Sequence, residues 1–280
     1  MPRKLSVTIV GPGSLGGALA VALHRSGYPL SEVVYRSDRK RAQAIARRAD
    51  ARAVSFDKAA FDAEVIWLCV GDGEISHTGK ALVSRAEWKA KYVFHASGAL
   101  SSDELQPLKR RGARVASVHP MMSFVRTTDA TFADVPFALE GDSSAKQVAA
   151  EIAKALAGSS FNLKKEDKPL YHALGAFSSP LLVAHLATAE KIGKMLGLKP
   201  KHTRNIVEPI LQKTLRNYLE HGPAAALSGP MVRGDLETMR SNLQALKRVP
   251  GAGEIYRALA KMAVKELPVK KKAAILELLS

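Results

Sequence analysis

Side chains able to move protons or clamp anions are sparse in this chain, and several stand at informative places. Asp72 follows the apolar run Val65–Val70, Ser97 follows Tyr92–His95, and His119 follows Val115–Val118. Each run reads as a strand, so the three polar residues close successive strands on a common edge. Further on come His172, in Tyr171-His172, and Arg233 and Asp235, which bracket Gly234 in Ser228-Gly-Pro-Met-Val-Arg-Gly-Asp235. Histidine gives or takes a proton near neutral pH. Arginine on a loop can clamp a carboxylate through two parallel hydrogen bonds. Each residue also has a plainer reading. Histidine before proline, as in His119-Pro120, is commonly structural, and His172 equally fits a hydrogen-bonded helix histidine. Asp235 fits the N-cap of the helix that follows.

The element that would position this chemistry lies at Leu5–Gly27. Val7, Ile9 and Val10 make a short β-branched strand, and Gly11, Gly13 and Gly16 follow at G-x-G-x-x-G spacing. Leu15, Leu19 and Leu23 then recur every four residues, and Gly27 supplies a helix stop. Strand, glycine turn and helix in that order form the context of a dinucleotide-binding fingerprint. Gly11 allows the tight turn, Gly13 lets backbone approach a diphosphate, and Gly16 lets the helix pack close. Ser14 and Leu15 open the helix, whose first N–H groups point at phosphate. A glycine-rich turn in another kind of α/β protein is the plainer alternative.

Glu32–Tyr35 reads as the second strand. An acidic residue about 20 residues past the glycines would accept a free ribose 2′-hydroxyl. At that place stands Arg36-Ser37-Asp38-Arg39. Arg36, with Ser37 and Arg39 beside it, instead favours a 2′-phosphate, which arginine binds in bidentate fashion. NADP(H) is therefore expected over NAD(H). From Lys40 to Arg48 the basic residues read as the solvated face of a helix capped by Asp38, with Ala42, Ile45 and Ala49 inward.

Val65–Val70 is continuously apolar, as in a central parallel strand buried on both faces. Val70, Gly71 and Asp72 bring it to the carboxyl edge, where doubly wound sheets bind ligands. Met122 to Asp134 reads as a loop, and Pro136–Glu140 and Phe161–Leu163 as strands around a helix at Ser144–Leu156. Near Lys165 the strand signals vanish. Pro169 to Leu196 reads as one long helix closed by Gly197, followed by helices at about Lys201–Tyr218, Asp235–Lys247 and Glu254–Glu266. The tail from Pro268 is a short helix or frayed. The expected fold class is α/β, a Rossmann doubly wound parallel sheet over residues 1–164 plus an all-α domain over 165–280. Asn217 and Asn242 are further candidates to line a cleft with Arg233.

At 280 residues and 46% hydrophobic content the chain can bury two cores. No uninterrupted apolar run in the sequence reaches a membrane span, and Met1-Pro-Arg-Lys leads straight into the first strand, so a cytoplasmic protein is expected. The single cysteine, Cys69, excludes a disulfide framework and a Cys-rich zinc site, and its apolar setting suits a buried structural thiol. No metal is expected. The net charge of +16 is dispersed and aromatics make up only 6%, which argues against specific nucleic-acid recognition and for anionic small molecules.

These motifs together resemble one family. Gly-Pro-Gly-Ser-Leu-Gly, Arg36-Ser37, Ser97-Gly98-Ala99-Leu100, His119-Pro120, Tyr171-His172 and Gly229-Pro230-Met-Val-Arg233-Gly234-Asp235 are similar to Rossmann-like proteins with a C-terminal helical domain of unknown function. These are grouped with NADP-dependent oxidoreductases and, distantly, with pyrroline-5-carboxylate and ketopantoate reductases. The resemblance extends to about Lys265. It implies an N-terminal NADP-binding domain, a helical domain that commonly dimerises, and a cleft between them. The chain departs from the pattern at Ser179-Pro180, where the family usually carries Ser-Asn, and at Asn242, a common histidine position. Pro180 is also expected to kink the long helix.

The expectation is thus an NADPH-dependent reductase of a small anionic carbonyl or imine, with Asp72 and Ser97 flanking the nicotinamide ribose and ring. His119 and His172 are the candidate proton donors, and Arg233 orients substrate. A homodimer through the helical domain is expected, and no membrane. The rival is a non-catalytic NADPH-binding redox sensor or partner-docking module.

Overall fold

The computed structural model describes residues 3–124 and 131–280. The loop expected at Met122–Asp134 therefore falls partly outside the described residues. Contacts divide the chain into two compact units, Met1–Phe177 and Ser178–Ser280.

The first unit is built on an eight-stranded sheet. Its strands are β1 (Val7–Val10), β2 (Leu30–Tyr35), β3 (Arg52–Ser55), β4 (Val65–Leu68), β5 (Tyr92–His95), β6 (Arg114–Pro120), β7 (Pro136–Gly141) and β8 (Ser159–Asn162). They lie in the order β3-β2-β1-β4-β5-β6-β7-β8. The first six are parallel and form the doubly wound arrangement read from the sequence. β7 departs from it, running antiparallel to β6 while β8 runs parallel to β7. β3 escaped the sequence reading because Arg52–Ser55 is an edge strand of partly exposed residues with no apolar run.

Helices cover both faces: α1 (Ser14–Arg25), α2 (Arg39–Arg48), α3 (Asp72–Leu82), α4 (Gln106–Lys109) and α5 (Ser143–Ala155). β4 shows why the sheet is buried twice. Val65 and Trp67 join one core with Leu19, Leu23, Ile45 and Ile152. Ile66 and Leu68 join the other with Ile75, Leu82, Trp88 and Leu105. Period-two side-chain alternation thus makes a wholly apolar strand a requirement. Asp38 caps α2 as expected, accepting from the Arg41 N–H at 2.9 Å.

The next helix, α6 (Lys168–Ser178), belongs almost wholly to this unit. The change of character placed at residue 164 thus precedes the division between compact units by one helix, because Lys168 and Tyr171 of α6 are buried.

The single helix expected over Pro169–Leu196 is two. Ser179 leaves helical geometry (φ −133°, ψ −81°) and Pro180 opens α7 (Pro180–Met195). Proline has no N–H to continue the ladder, but at the first turn of a new helix none is needed. The apolar helical stretch Lys165–Met195 that contains this break is long and apolar enough, by length and composition, to cross a membrane.

The second unit continues with α8 (Pro200–Ala226), interrupted at Gly222 (φ 77°), α9 (Pro230–Arg233), α10 (Leu236–Leu246), α11 (Ala252–Glu266) and α12 (Lys272–Leu278). The tail is therefore a helix. It is held because Ile275 and Leu279 enter a core with Met239, Leu243, Ala260, Val264 and Val269. α7 and α8 are joined at a close approach, since a β-carbon on Gly193 would lie 2.6 Å from Thr203 Cγ2.

Candidate functional site

The glycine turn has the geometry its spacing implies. Gly11 sits at φ +99°, and a β-carbon there would come within 2.6 Å of the Cys69 carbonyl oxygen. One on Gly16 would collide with the Gly11 carbonyl oxygen and lie 3.0 Å from Cys69 Cβ. Gly13 is exposed, with nothing within 4 Å of the same position. Two glycines are thus demanded by packing, and the middle one keeps a surface bare. Gly13 is the N-cap of α1 with no side-chain cap, and the first turn carries no acidic residue. Its N–H groups and the positive end of the helix remain available to an anion. Cys69 backs this turn, and burial pushes its thiol well above the usual range, as suits a structural cysteine.

Gly11 N–H donates to the Val34 carbonyl at 3.0 Å, which sets the end of β2 beside the turn. Two residues later the Arg36 guanidinium lies 4.8 Å over the Phe56 ring. It donates to Glu74 Oε2 at 3.2 Å and Thr78 Oγ1 at 3.3 Å, both on α3. Ser37 and Arg39 are exposed. Arg41 keeps Nε and Nη2 buried with no hydrogen-bond partner among the described residues. The bare glycine, the uncapped helix and this concentration of guanidinium groups fit a dinucleotide carrying an extra phosphate.

On the same edge, β4 and β5 end in register, Leu68 beside His95, and His95 stands beside Ser117 of β6. This brings Ser97 and His119 to one level, with Asp72 opening α3 nearby. Ser97 is buried and occupied by its own turn, its Oγ accepting from Ala99 N–H (3.1 Å) and Leu100 N–H (3.0 Å). His95 lies beneath. Its Nδ1 accepts the Ser97 N–H at 3.2 Å, so the other ring nitrogen donates to the Ser101 carbonyl at 3.0 Å. Burial pushes His95 down to about 4.

His119 is the centre of the cluster. Its Nδ1 is 2.8 Å from the Tyr171 hydroxyl, with the two rings edge to face. A β-carbon on Gly98 would meet the His119 ring at 3.0 Å, so Gly98 is needed for this approach. Burial, then the charges of Lys168 and His172, lower His119 to about 4, while Asp72 opposes the shift. The ring is neutral at pH 7. Desolvation disfavours the charged form, so any proton this residue passes on comes from the neutral ring or its Tyr171 partner.

Beneath lies Lys168, 1% exposed. Its Nζ donates to Ser117 Oγ at 2.6 Å and to the Ser97 carbonyl at 3.1 Å, and Ser117 Oγ donates to that same carbonyl at 3.0 Å. Burial lowers the ammonium to about 8, with Glu140 and Asp72 pulling it back up. Glu140, buried, accepts from Ser102 N–H (2.6 Å) and Ser102 Oγ (2.9 Å). The turn after β5, the middle of β6 and the first residue of α6 are thereby tied together.

Comparisons with known proteins divide the chain earlier than its compact units do. Residues 1–120 match the Rossmann-like domain, and residues 135–263 match a domain of unknown function, DUF2520. The chain is a Rossmann-like domain followed by a DUF2520 domain. No curated protein matches it by sequence. Among solved structures, a Bacteroides fragilis protein provisionally described as an NADP oxidoreductase has a TM-score of 0.77 at 19% identity, covering 92% of this chain and 97% of its own. An imine reductase from Pseudomonas sp. aligns over 99% and 100% of the two chains at 21% identity and TM-score 0.68. A reductive aminase from Aspergillus terreus, crystallised with NADPH and ethyl-5-oxohexanoate, covers 98% and 99% at 16% identity and TM-score 0.67. At these identities the likeness establishes the fold.

Of the candidates read from the sequence, Gly11, Gly13, Ser14, Leu15, Gly16, Arg36, Ser37, Val70, Gly71, Asp72, Ser97 and His119 share the carboxyl edge of the Rossmann-like sheet. His172 lies on α6, exposed, while its neighbour Tyr171 makes the bond to His119. Arg233 and Asp235 belong to the second unit, within the DUF2520 match. Asp235 caps α10, accepting from Thr238 N–H (3.1 Å) and Thr238 Oγ1 (2.7 Å), and these bonds hold its carboxyl below the usual range. Arg233 is exposed on α9 just before the left-handed Gly234. The sequence reading passed over Lys168, Glu140 and His95. Tyr171 was quoted only as the neighbour of a histidine. A lysine at the start of a helix resembles any solvated lysine until the sheet is assembled around it.

Proposed function

We propose that this chain is an NADP(H)-dependent oxidoreductase that reduces the C=O or C=N bond of a small anionic substrate. One observation carries the reading: a glycine turn shaped for a diphosphate and the part-buried His119–Tyr171 pair occupy one sheet edge, three strands apart. The NADPH in the reductive aminase and the imine reductase among the neighbours support the cofactor and the bond class. When bound, the nicotinamide supplies a hydride. The protein's share is placement and a proton. The α1 amides bind the diphosphate, Arg36 and Ser37 bind the 2′-phosphate with Arg39 adding charge, and Val70, Gly71, Asp72 and Ser97 border the ribose and ring. His119 and Tyr171, sharing one hydrogen bond, polarise the substrate heteroatom and pass it a proton. Lys168 positions the Ser97 turn against β6 through Ser117. His172 is a second proton source, and Arg233, at the end of α9, is the anion clamp of the helical unit.

We assign the apolar side chains that α7 and α8 leave exposed, among them Leu182, Val183, Ile206, Ile210, Leu215 and Leu219, to contact with a second copy of the chain. An apolar surface of this extent is characteristic of an interface.

Calorimetric titration with NADPH and NADH, followed by absorbance of NADPH with a panel of keto and imino acids, tests the reading. NADPH bound more tightly than NADH, with turnover on at least one anionic substrate, supports it. Absence of heat with both nucleotides removes it. Tight binding without turnover on any substrate would instead support a non-catalytic NADPH-binding module, a reading favoured by the helix break at Ser179-Pro180.

A further inference from the structure

Arg36 is committed twice over. Phe56 supports its guanidinium from one side at 4.8 Å, Thr78 Oγ1 accepts one of its N–H groups, and Glu74 Oε2 pairs with another at 3.2 Å. Glu74 sits in the first turn of α3, directly after Gly71-Asp72-Gly73, and its side chain is 59% exposed. Arg36 and Phe56 also border a cavity of about 400 Å³ together with Ser55, Asp57, His77 and Ala81. The other charged side chain at Phe56 is Arg85, which donates to the Phe56, Asp57 and Ala59 carbonyls and so is held by backbone. Thus the cation expected to meet a 2′-phosphate already faces a carboxylate, whereas the neighbouring guanidinium does not.

We infer that Glu74 is a specificity-determining residue that competes with the 2′-phosphate for Arg36 and narrows the preference for NADPH over NADH. The inference rests on the nucleotide reading given under the proposed function. A 2′-phosphate approaching Arg36 must either displace the Glu74 carboxylate or share the guanidinium with it, and two anions of like sign on one cation repel. A free 2′-hydroxyl brings no charge, can donate to Glu74 Oε2, and leaves the ion pair in place. Thr78 and Phe56 keep the guanidinium in position when Glu74 withdraws, so its removal frees the cation without disordering it. The chain therefore carries both the arginine that selects a phosphate and an acid that moderates that selection.

The experiment is a set of nucleotide dissociation constants for the full chain and for Glu74→Gln, Arg36→Gln and the double variant, at low and high salt. Glu74→Gln is expected to tighten NADPH by about tenfold, the effect of removing one charge roughly 5 Å from a phosphate of charge about −2 in a high-dielectric setting. NADH should change less than about twofold, and the gain should shrink as salt screens the site. In the Arg36→Gln background nothing holds the phosphate beside Glu74, so substituting Glu74 should improve NADPH by less than about threefold. An unchanged NADPH-to-NADH ratio in Glu74→Gln overturns the assignment, as does a full tenfold gain without Arg36. Failure of the unaltered chain to bind either nucleotide defeats the function itself and this inference with it. Binding of both nucleotides with no response to Glu74 defeats only the inference.

Discussion

The two units of this chain bury their apolar residues very differently. In the sheet unit, all four residues of β1 and all four of β4 are buried, and two cores cover both faces. In the helical unit, α7 buries only Gly193 and α8 only Thr203, while α10, α11 and α12 close around a small core of their own. A sheet with helices on both faces completes its own hydrophobic burial. A pair of helices with apolar residues around much of its surface does not, and it leaves that surface uncovered. The first unit can therefore be judged from its own geometry, and the second leaves an apolar face that we propose a partner copy covers.

Glycine substitutions in the nucleotide turn test the first half of this contrast and have the largest expected effect. Gly16→Ala forces a β-carbon onto the Gly11 carbonyl, where backbone cannot yield cheaply. It should cost more than about 3 kcal/mol of stability in denaturant unfolding. Gly13→Ala meets nothing within 4 Å at ordinary φ and should leave the unfolding midpoint unchanged while weakening nucleotide binding. Equal stabilities for the two variants would undo the account of the turn.

Acid should act next most strongly, and again on the sheet unit. His95 and His119 are held at about 4 in the fold against 6.5 in the unfolded chain. Between these values the unfolded chain binds more protons, so stability is complete above about pH 6.5 and is lost as pH falls toward 4. For His95 the loss is of the order of 3 kcal/mol. Lys168, lowered to about 8 from 10.5, has the same sign, and stability should rise between those pH values. Urea midpoints across pH 4.5–7, which should flatten partly in His95→Gln, check the acid limb, and a flat wild-type profile would count against buried neutral histidines.

The smallest effect on stability is expected in the helical unit. Leu219→Glu replaces a 72% exposed leucine on α8 and should change unfolding by less than about 0.5 kcal/mol if that face were simply solvated. In sedimentation, however, the variant should shift from dimer to monomer. A wild-type chain that sediments as a monomer at all concentrations would remove the contrast between a self-sufficient unit and one needing a partner.

Much of this was decided by local rules that can be read along the chain. Gly11 and Gly16 were identifiable because the turn itself demands them: Gly11 takes φ +99°, and a β-carbon on Gly16 would strike the Gly11 carbonyl five residues back. The buried strands announced themselves by apolar continuity, the Asp38 and Asp235 caps by residue type before a helix, and a parallel sheet of five of the six strands by alternation with helices. Tertiary structure alone decided the rest. Lys168 meets Ser97 and Ser117 across separations of 71 and 51 residues, and no periodicity carries that information. Tyr171 rather than His172 reaches His119 because the rotation of α6 against the sheet selects one of two adjacent side chains. Pairing of β7 antiparallel to β6 was likewise settled only when the sheet assembled, since its apolar residues would satisfy either direction. Short-range sterics write themselves into residue type and spacing. Which buried polar group finds which partner depends on how distant segments pack, and that exists only in the folded molecule.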